Sequence, residues 1–169
     1  MATNKETYIP NGPVRPTPEQ LQTFWKMAKD AANLEELGDA FQVRWIGLDA
    51  DTTNQIIELI TAGDKTGTFT LPWVVEQTGQ PEPAVGDLII LIDFEGVPAL
   101  VVRLTEIELV SFGAITEQHT AIDGTPVRDL NVWKPMHTDY WNRMLAPFGL
   151  SVSDNMPVLV EKFELIYPA

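Results

Sequence analysis

The sequence predicts an α+β fold, because helical patterns come early in the chain and strand patterns follow. Two amphipathic helical stretches precede residue 64, and runs typical of strands then lie between Lys65 and Val110. This segregation argues against a doubly wound sheet, in which helices and strands alternate. The length of 169 residues fits one domain. We predict an N-terminal tail at residues 1–16 and a single domain over residues 17–169.

The first helix is predicted to begin near Thr17. Residues 1–16 are polar and contain three closely spaced prolines, which is typical of a tail or of an extended arm on the surface. Thr17 is a suitable N-cap, and Pro18 suits the first helical turn. Apolar side chains then recur at helical spacing, from Leu21 through Trp25 to Ala28.

A second helix and a threonine-rich strand are predicted next. Asp51 or Thr52 caps the helix, and Gly63 ends it in the left-handed conformation that is common after a helix. Lys65–Leu71 then has the composition of a strand. The earlier segment Phe41–Ile46 fits either a short strand or an irregular connection.

The second half of the chain contains three further strand patterns and a helix. Leu88–Asp93 and Val97–Val110 are predicted strands joined by a turn, and Pro72–Gln80 before them is predicted as a connection with room for one helical turn. After a polar loop at residues 119–129, Leu130–Leu145 has a helical pattern with Pro135 near its start, where proline is best tolerated. Met156–Tyr167 is predicted to be the closing strand.

Charge and composition restrict the partners. The net charge of −13 comes from 24 acidic and 11 basic residues, so long duplex DNA is predicted to be repelled. The acidity fits a role in solubility equally well. The chain has no cysteine and no apolar run long enough for a membrane span. We therefore predict a soluble protein of the cytoplasm that has no membrane partner.

Several landmarks, taken in order, resemble the ASCH family of PUA-like proteins. Ala62-Gly63 leads into Lys65-Thr66-Gly67-Thr68, which is similar to the family's Gly-x-Lys-Thr-x-Thr element. A turn at Pro83–Asp87 opens an apolar strand, and an acidic residue precedes glycine at Asp123-Gly124. Finally, Trp133, His137 and Tyr140-Trp141 resemble a helix of the longer family members. The resemblance covers roughly residues 41–167.

The resemblance implies a partly open, mixed β-barrel with flanking helices, in a group associated with recognition of RNA or nucleosides. Some relatives hydrolyse the acetyl amide of N4-acetylcytidine, and others are ribonucleases. Their lysine, threonine and carboxylate fall on Lys65, Thr68 and Asp123, although the deacetylating relatives carry a glutamate at the third position. The implied partner is a nucleoside or a short single-stranded RNA.

These three residues make chemical sense as a hydrolytic site. A threonine hydroxyl attacks well only when a base removes its proton, and lysine is such a base only when its ammonium form is destabilised. On a flat strand, Lys65 and Thr68 face opposite sides. They converge if Lys65 still lies in the turn after the helix or if Gly67 permits a bulge. Alternatively, the threonines form a solvated sheet face and Lys65 interacts with the helix C-terminus.

Further candidates for ligand binding are aromatic rings and polar side chains near the same cleft. They are Arg44, Trp45, Thr66, Trp73, Arg103 and His137. Rings stack on nucleobases, and arginine binds phosphate. The histidines lack the close spacing of a zinc motif, so we predict no metal and no cofactor. A non-catalytic RNA-binding module or a protein-interaction module are the alternatives to a hydrolase.

Overall fold

A five-stranded mixed sheet forms the centre of the protein. The computed structural model describes residues 13–32 and 35–168. Its strands are β1 (Gln42–Arg44), β2 (Gly67–Thr70), β3 (Leu88–Ile92), β4 (Pro98–Ser111) and β5 (Pro157–Tyr167). They lie in the order β1-β3-β4-β5-β2. β1 pairs with β3 in parallel, and the other pairs are antiparallel. The fold is therefore α+β, as the sequence predicts, and the segment before Gly47 contains a strand.

The helices flank this sheet. They are α1 (Pro18–Ala32), α2 (Ala50–Thr61), α3 (Pro72–Thr78), α4 (Glu117–Thr120) and α5 (Leu130–Leu145). The bounds of α5 agree with the prediction, and Pro135 lies within its first two turns. Residues 72–80, predicted as a connection with room for one helical turn, contain the seven-residue helix α3. The predicted loop at residues 119–129 includes the end of α4.

The ends of α2 determine where the functional residues after it lie. Asp49, rather than Asp51 or Thr52, is the N-cap: its Oδ1 accepts a hydrogen bond from the Thr52 amide at 2.8 Å. Gly63 has a φ of +78° and ends the helix as predicted. The amides of the next two residues, 64 and 65, both donate to the Leu59 carbonyl. The chain therefore turns back before β2 begins.

Apolar side chains cover both faces of the sheet. On one face, Trp25 of α1 packs in a cluster with Ile90 of β3. On the opposite face, Ile60 of α2 packs in a cluster with Ile89 and Leu91. This alternation along β3 follows the two-residue period of a strand. A third cluster joins α3 and α5 to the ends of β4 and β5.

The sheet is strongly curled. Arg44 Nη1, on edge strand β1, donates to Glu161 Oε1 on β5 at 3.2 Å, although β3 and β4 lie between these strands. In a flat sheet the two strands would be roughly 14 Å apart, because neighbouring strands are about 4.8 Å apart. The strands therefore wrap around the face that carries Arg44. Within the described part of the chain, β1 and β2 do not pair, so the sheet does not close into a complete barrel.

The described residues before α1 lie against the β3–β4 turn. The Val14 amide donates to the Phe94 carbonyl at 3.1 Å, and Pro16 is buried. Residues 1–12 of the predicted tail lie outside the described residues. None of the helices in residues 13–32 and 35–168 has the length and apolar character of a membrane span.

Candidate functional site

A cavity of about 310 Å³ lies on the α2 side of the curled sheet. Its walls come from the β1–α2 connection, β2, α3, the loop at residues 123–127 and α5. Most of the lining is aliphatic or aromatic. Leu48 and Met136 also line it and are 41% and 46% exposed, respectively. The cavity is thus an apolar recess with a partly exposed apolar border.

Lys65 and Asp123 form a buried ion pair in the wall of this cavity. Lys65 lies in the turn after α2, and Asp123 follows α4, 58 residues later. Lys65 Nζ donates to Asp123 Oδ1 at 2.8 Å, and the same oxygen accepts from the Gly124 amide at 2.9 Å. The two residues are only 4% and 7% exposed. The aspartate, although shorter than glutamate, therefore reaches the lysine.

Thr68 lines the same cavity as this pair. β2 begins at Gly67, so Lys65 precedes the strand. The rule that successive side chains of a strand point to opposite faces therefore does not apply to Lys65. This was one of the two geometries under which the residues were expected to converge. Lys65 and Thr68 share the wall, but no hydrogen bond links their side chains. The Thr68 hydroxyl has no hydrogen-bond partner within the described part of the chain.

A second buried carboxylate lies behind the wall. Glu161 of β5 is fully buried and accepts hydrogen bonds from Arg44 of β1 and from the hydroxyl of Thr70 in β2. Burial raises the pKa of Glu161, although the Arg44 charge and both hydrogen bonds act in the opposite direction. The carboxylate thus links side chains from the two edge strands.

His137 brings a neutral ring to the cavity. The ring stacks on Trp133 with the centroids 4.1 Å apart, and its Nδ1 lies 2.9 Å from the Trp133 carbonyl. A carbonyl only accepts, so Nδ1 carries the proton and Nε2 is left as an acceptor. Burial lowers the pKa of His137 to about 4, against the effects of the Trp133 carbonyl and the Asp123 charge. The imidazole is therefore uncharged at neutral pH.

Two other ring-bearing residues complete this part of the wall. Tyr140 of α5 lines the cavity, and burial raises the pKa of its hydroxyl to about 12. The phenol therefore stays protonated at neutral pH. Trp45, which follows β1, lines the cavity and is half-buried.

The structure brings together six of the nine predicted site residues and leaves three outside. Lys65, Thr68, Asp123, Arg44, Trp45 and His137 line the cavity. Thr66 is exposed, while its backbone bonds to Ile122 and Phe163. Trp73 packs against the cluster of α3 and α5. Arg103 pairs with Glu164, its Nε 2.6 Å from Oε1.

Sequence reasoning missed the roles of Glu161 and Thr70. The signal for Glu161 was its position in β5, two residues before Phe163 and four before Leu165, which are core candidates. A carboxylate in register with them points to the covered face and needs a partner there. That partner, Arg44, comes from a strand 117 residues away in sequence, which the pattern along β5 does not indicate.

The protein is thus a small α+β domain in which a curled, open sheet encloses a recess lined by a buried lysine–carboxylate pair. The chain belongs to the ASCH domain family, whose model it matches over residues 43–167. The resemblance drawn from the sequence motifs is thereby confirmed. A search of curated proteins found no match.

Two solved structures share this fold. One is an ASCH domain from Lactobacillus crispatus JV V101, with a TM-score of 0.79 and 22% identity over 89% of this chain and 96% of that one. The other is protein EF3133 from Enterococcus faecalis V583, with a TM-score of 0.76 and 22% identity over 89% of this chain and 92% of that one. At this level of identity the likeness concerns the fold alone.

Proposed function

We propose that the cavity binds a free, uncharged nucleoside and hydrolyses an amide on its exocyclic nitrogen, as in N4-acetylcytidine. The curled, open sheet supports the related assignment to the PUA-like barrels. The observation that carries the proposal is the pairing of charges in the wall. Each cation that lines the cavity is bound to a carboxylate.

This pairing favours a ligand without phosphate. Three lining residues are charged: Lys65 binds Asp123, and Arg44 binds Glu161 behind the wall. A phosphate that approached either cation would compete with a carboxylate that is already in contact and buried. The described residues of the wall therefore offer no uncompensated positive charge to a phosphate.

The free hydrogen-bonding groups of the wall are neutral. The hydroxyls of Thr68 and Tyr140 and the Nε2 of His137 form no hydrogen bond within the described part of the chain. Heterocyclic bases present both donors and acceptors that such groups bind, and their faces stack on rings such as Trp45. The volume of about 310 Å³ is at the small end of ligand pockets. These features support one nucleoside rather than several nucleotides.

The proposed hydrolysis uses the ion pair as a proton relay. Lys65 passes its proton along the 2.8 Å contact to Asp123, and the neutral amine then takes the Thr68 proton as the oxygen attacks the acetyl carbon. The carbon–nitrogen bond breaks, and protonated Asp123 supplies the proton that the leaving amine needs. Water then hydrolyses the acetyl–Thr68 ester to acetate, using the same pair as the base.

Incubation with N4-acetylcytidine tests this proposal. We expect cytidine and acetate from the wild-type protein and at least about a 100-fold lower rate from Thr68→Val, which keeps the volume but loses the nucleophile. Thr66→Val is the matched control, because that exposed threonine lies outside the cavity. Absence of product from the wild type, or an equal rate from Thr68→Val, would remove the hydrolase part.

Binding without turnover is the second candidate. The absence of a hydrogen bond between Lys65 and Thr68 favours it, because a nucleophile is activated through such a contact. It predicts a measurable Kd for the nucleoside together with no release of acetate. If neither binding nor product is detected, the nucleoside proposal itself is wrong.

A further inference from the structure

The ion pair Lys65–Asp123 lies between two cross-links that join the same two segments. On one side, the Thr66 amide donates to the Ile122 carbonyl at 2.9 Å. On the other side, the Thr125 amide donates to Asp64 Oδ2 at 2.8 Å. The contacts run in antiparallel order along the two segments, 66 with 122, 65 with 123 and 64 with 125. The buried pair is therefore the middle contact of three.

Asp64 directs its side-chain contacts to the segment that carries Asp123. Besides the Thr125 amide, its carboxylate accepts from the Thr125 hydroxyl at 3.2 Å and from Arg128 Nη2 at 2.6 Å. The same Nη2 also donates to the Asp64 carbonyl at 2.7 Å. The Thr125 amide, with help from the Thr125 hydroxyl and Arg128, lowers the pKa of Asp64. The carboxylate is thus ionised at neutral pH.

Arg128 is itself fixed to the loop. Its backbone amide donates to the Gly124 carbonyl at 3.0 Å, and its own carbonyl accepts from the Thr120 hydroxyl at 2.7 Å. The side chains of Asp64 and Arg128 are 32% and 41% exposed, and neither residue lines the cavity. They therefore affect a ligand only through the residues between them and the cavity.

We infer that Asp64 and Arg128 form a clamp that positions Lys65 against Asp123 and keeps the ammonium group buried. Three cross-links join the loop at residues 123–127 and the residue before it to the turn after α2. Without the clamp, only two of them remain: the Thr66–Ile122 bond and the ion pair. The turn then opens more often, and Lys65 meets solvent during each opening. The clamp acts on the wall of the cavity from outside it.

Chemical labelling of lysines tests the clamp without any ligand. The folded protein is treated briefly with an amine-acetylating reagent, and the labelled fraction of Lys65 is measured by peptide mass spectrometry. Lys162, whose side chain is 48% exposed, is the internal reference in each sample. We expect Asp64→Ala to raise the labelling rate of Lys65 by about tenfold relative to Lys162, because local opening controls access to a buried amine.

Two further variants complete this experiment. Asp139→Ala removes an exposed carboxylate that pairs with Arg143 on α5 at 2.8 Å, and we expect no change at Lys65. Arg128→Gln removes the charge but leaves the Thr125 contacts to Asp64, so it decides the question if Asp64→Ala does not fold. Labelling of Lys65 at the wild-type rate in folded Asp64→Ala and in folded Arg128→Gln would overturn the clamp.

The effect of the clamp on hydrolysis rests on the proposed function and is measured separately. We expect Arg128→Gln to lower kcat for N4-acetylcytidine, because Lys65 is held less firmly against Asp123. KM should stay within about twofold, because Arg128 does not line the cavity. An unchanged kcat with faster labelling of Lys65 would show that the clamp does not serve catalysis. If the wild type has no activity, the proposed function fails while the labelling result still decides the clamp.

Discussion

At the scale of single residues, the main feature is a lysine and an aspartate buried together. Removing one member of a buried ion pair leaves an uncompensated charge and costs about 3–5 kcal/mol of stability. Substitution of Lys65 or Asp123 therefore changes folding as well as chemistry. Thr68 is the better probe of activity, because its hydroxyl forms no hydrogen bond with any described residue. Its removal therefore leaves no partner unsatisfied.

His137 gives a prediction for pH dependence. Its folded-state pKa of about 4 lies below the ordinary value of 6.5, so between these pH values the unfolded chain binds a proton that the folded protein does not. Stability therefore falls as the pH drops through this window. Between pH 7 and pH 4.5 we expect His137 to account for a loss of about 2 kcal/mol in the free energy of unfolding.

Urea unfolding at the two pH values measures this loss. His137→Gln should lose about 2 kcal/mol less than the wild type over the same interval. His119→Gln is the control, because it removes the other histidine of the chain. That residue lies in α4 and does not line the cavity. An equal pH dependence for the wild type and His137→Gln would contradict the burial argument.

The sequence predicted part of this site for a clear reason. The resemblance named Lys65, Thr68 and Asp123 because their motifs are local. Arg103 was misplaced because it alternates with Val102 and Leu104, which belong to the cluster on the cavity side of the sheet; its own side chain therefore faces away. Trp73 was expected near the cleft, but it lies in α3 and packs against the cluster that joins α3 and α5 to β4 and β5.

At the scale of secondary structure elements, Gly67 allows β2 to approach its neighbours closely. A Cβ at this position would collide with the backbone carbonyl of Glu161 and with the side chain of Ile122. A bulge at Gly67 was one of the two geometries that the sequence left open, whereas β2 and β5 pair in regular register from this residue on. Its function is therefore to make room for β5 and for the segment before Asp123.

Gly67→Ala is expected to destabilise the fold more than Gly63→Ala. Gly63 has a positive φ but open space around its Cα, so alanine there costs about 1–2 kcal/mol of conformational strain. At position 67 the collision involves backbone, and the cost is about 3 kcal/mol or more. The comparison is made by urea unfolding of both variants. A loss in Gly67→Ala no larger than that in Gly63→Ala would show that β2 has room to shift.

Elements with strong end signals were predictable, and short ones were not. Gly63 marked the end of α2, and the apolar pattern gave the bounds of α5. α3 has seven residues and α4 has four, lengths at which helices depend on tertiary packing rather than on their own propensity. The curl of the sheet was implied only by the family resemblance, as a partly open barrel. The residue pattern did not indicate it, because the contact that shows it joins Arg44 and Glu161, which are 117 residues apart.

At the scale of the whole molecule, acidity and a charge-balanced cavity act in the same direction. The net charge of −13 repels phosphates at long range, and the paired cations of the wall offer them nothing at short range. Affinity for an uncharged nucleoside should therefore be nearly independent of salt, whereas binding through phosphates weakens as salt is added. This contrast separates recognition of a nucleoside from general binding of RNA.

The most direct test is a calorimetric titration of Thr68→Val, which prevents turnover, with N4-acetylcytidine and with its 5′-monophosphate at low and high salt. We predict that the nucleoside binds at least about tenfold more tightly than the monophosphate, a difference of about 1.4 kcal/mol, and that its Kd does not change with salt. Tighter binding of the monophosphate, with an affinity that falls as salt is added, would contradict the account.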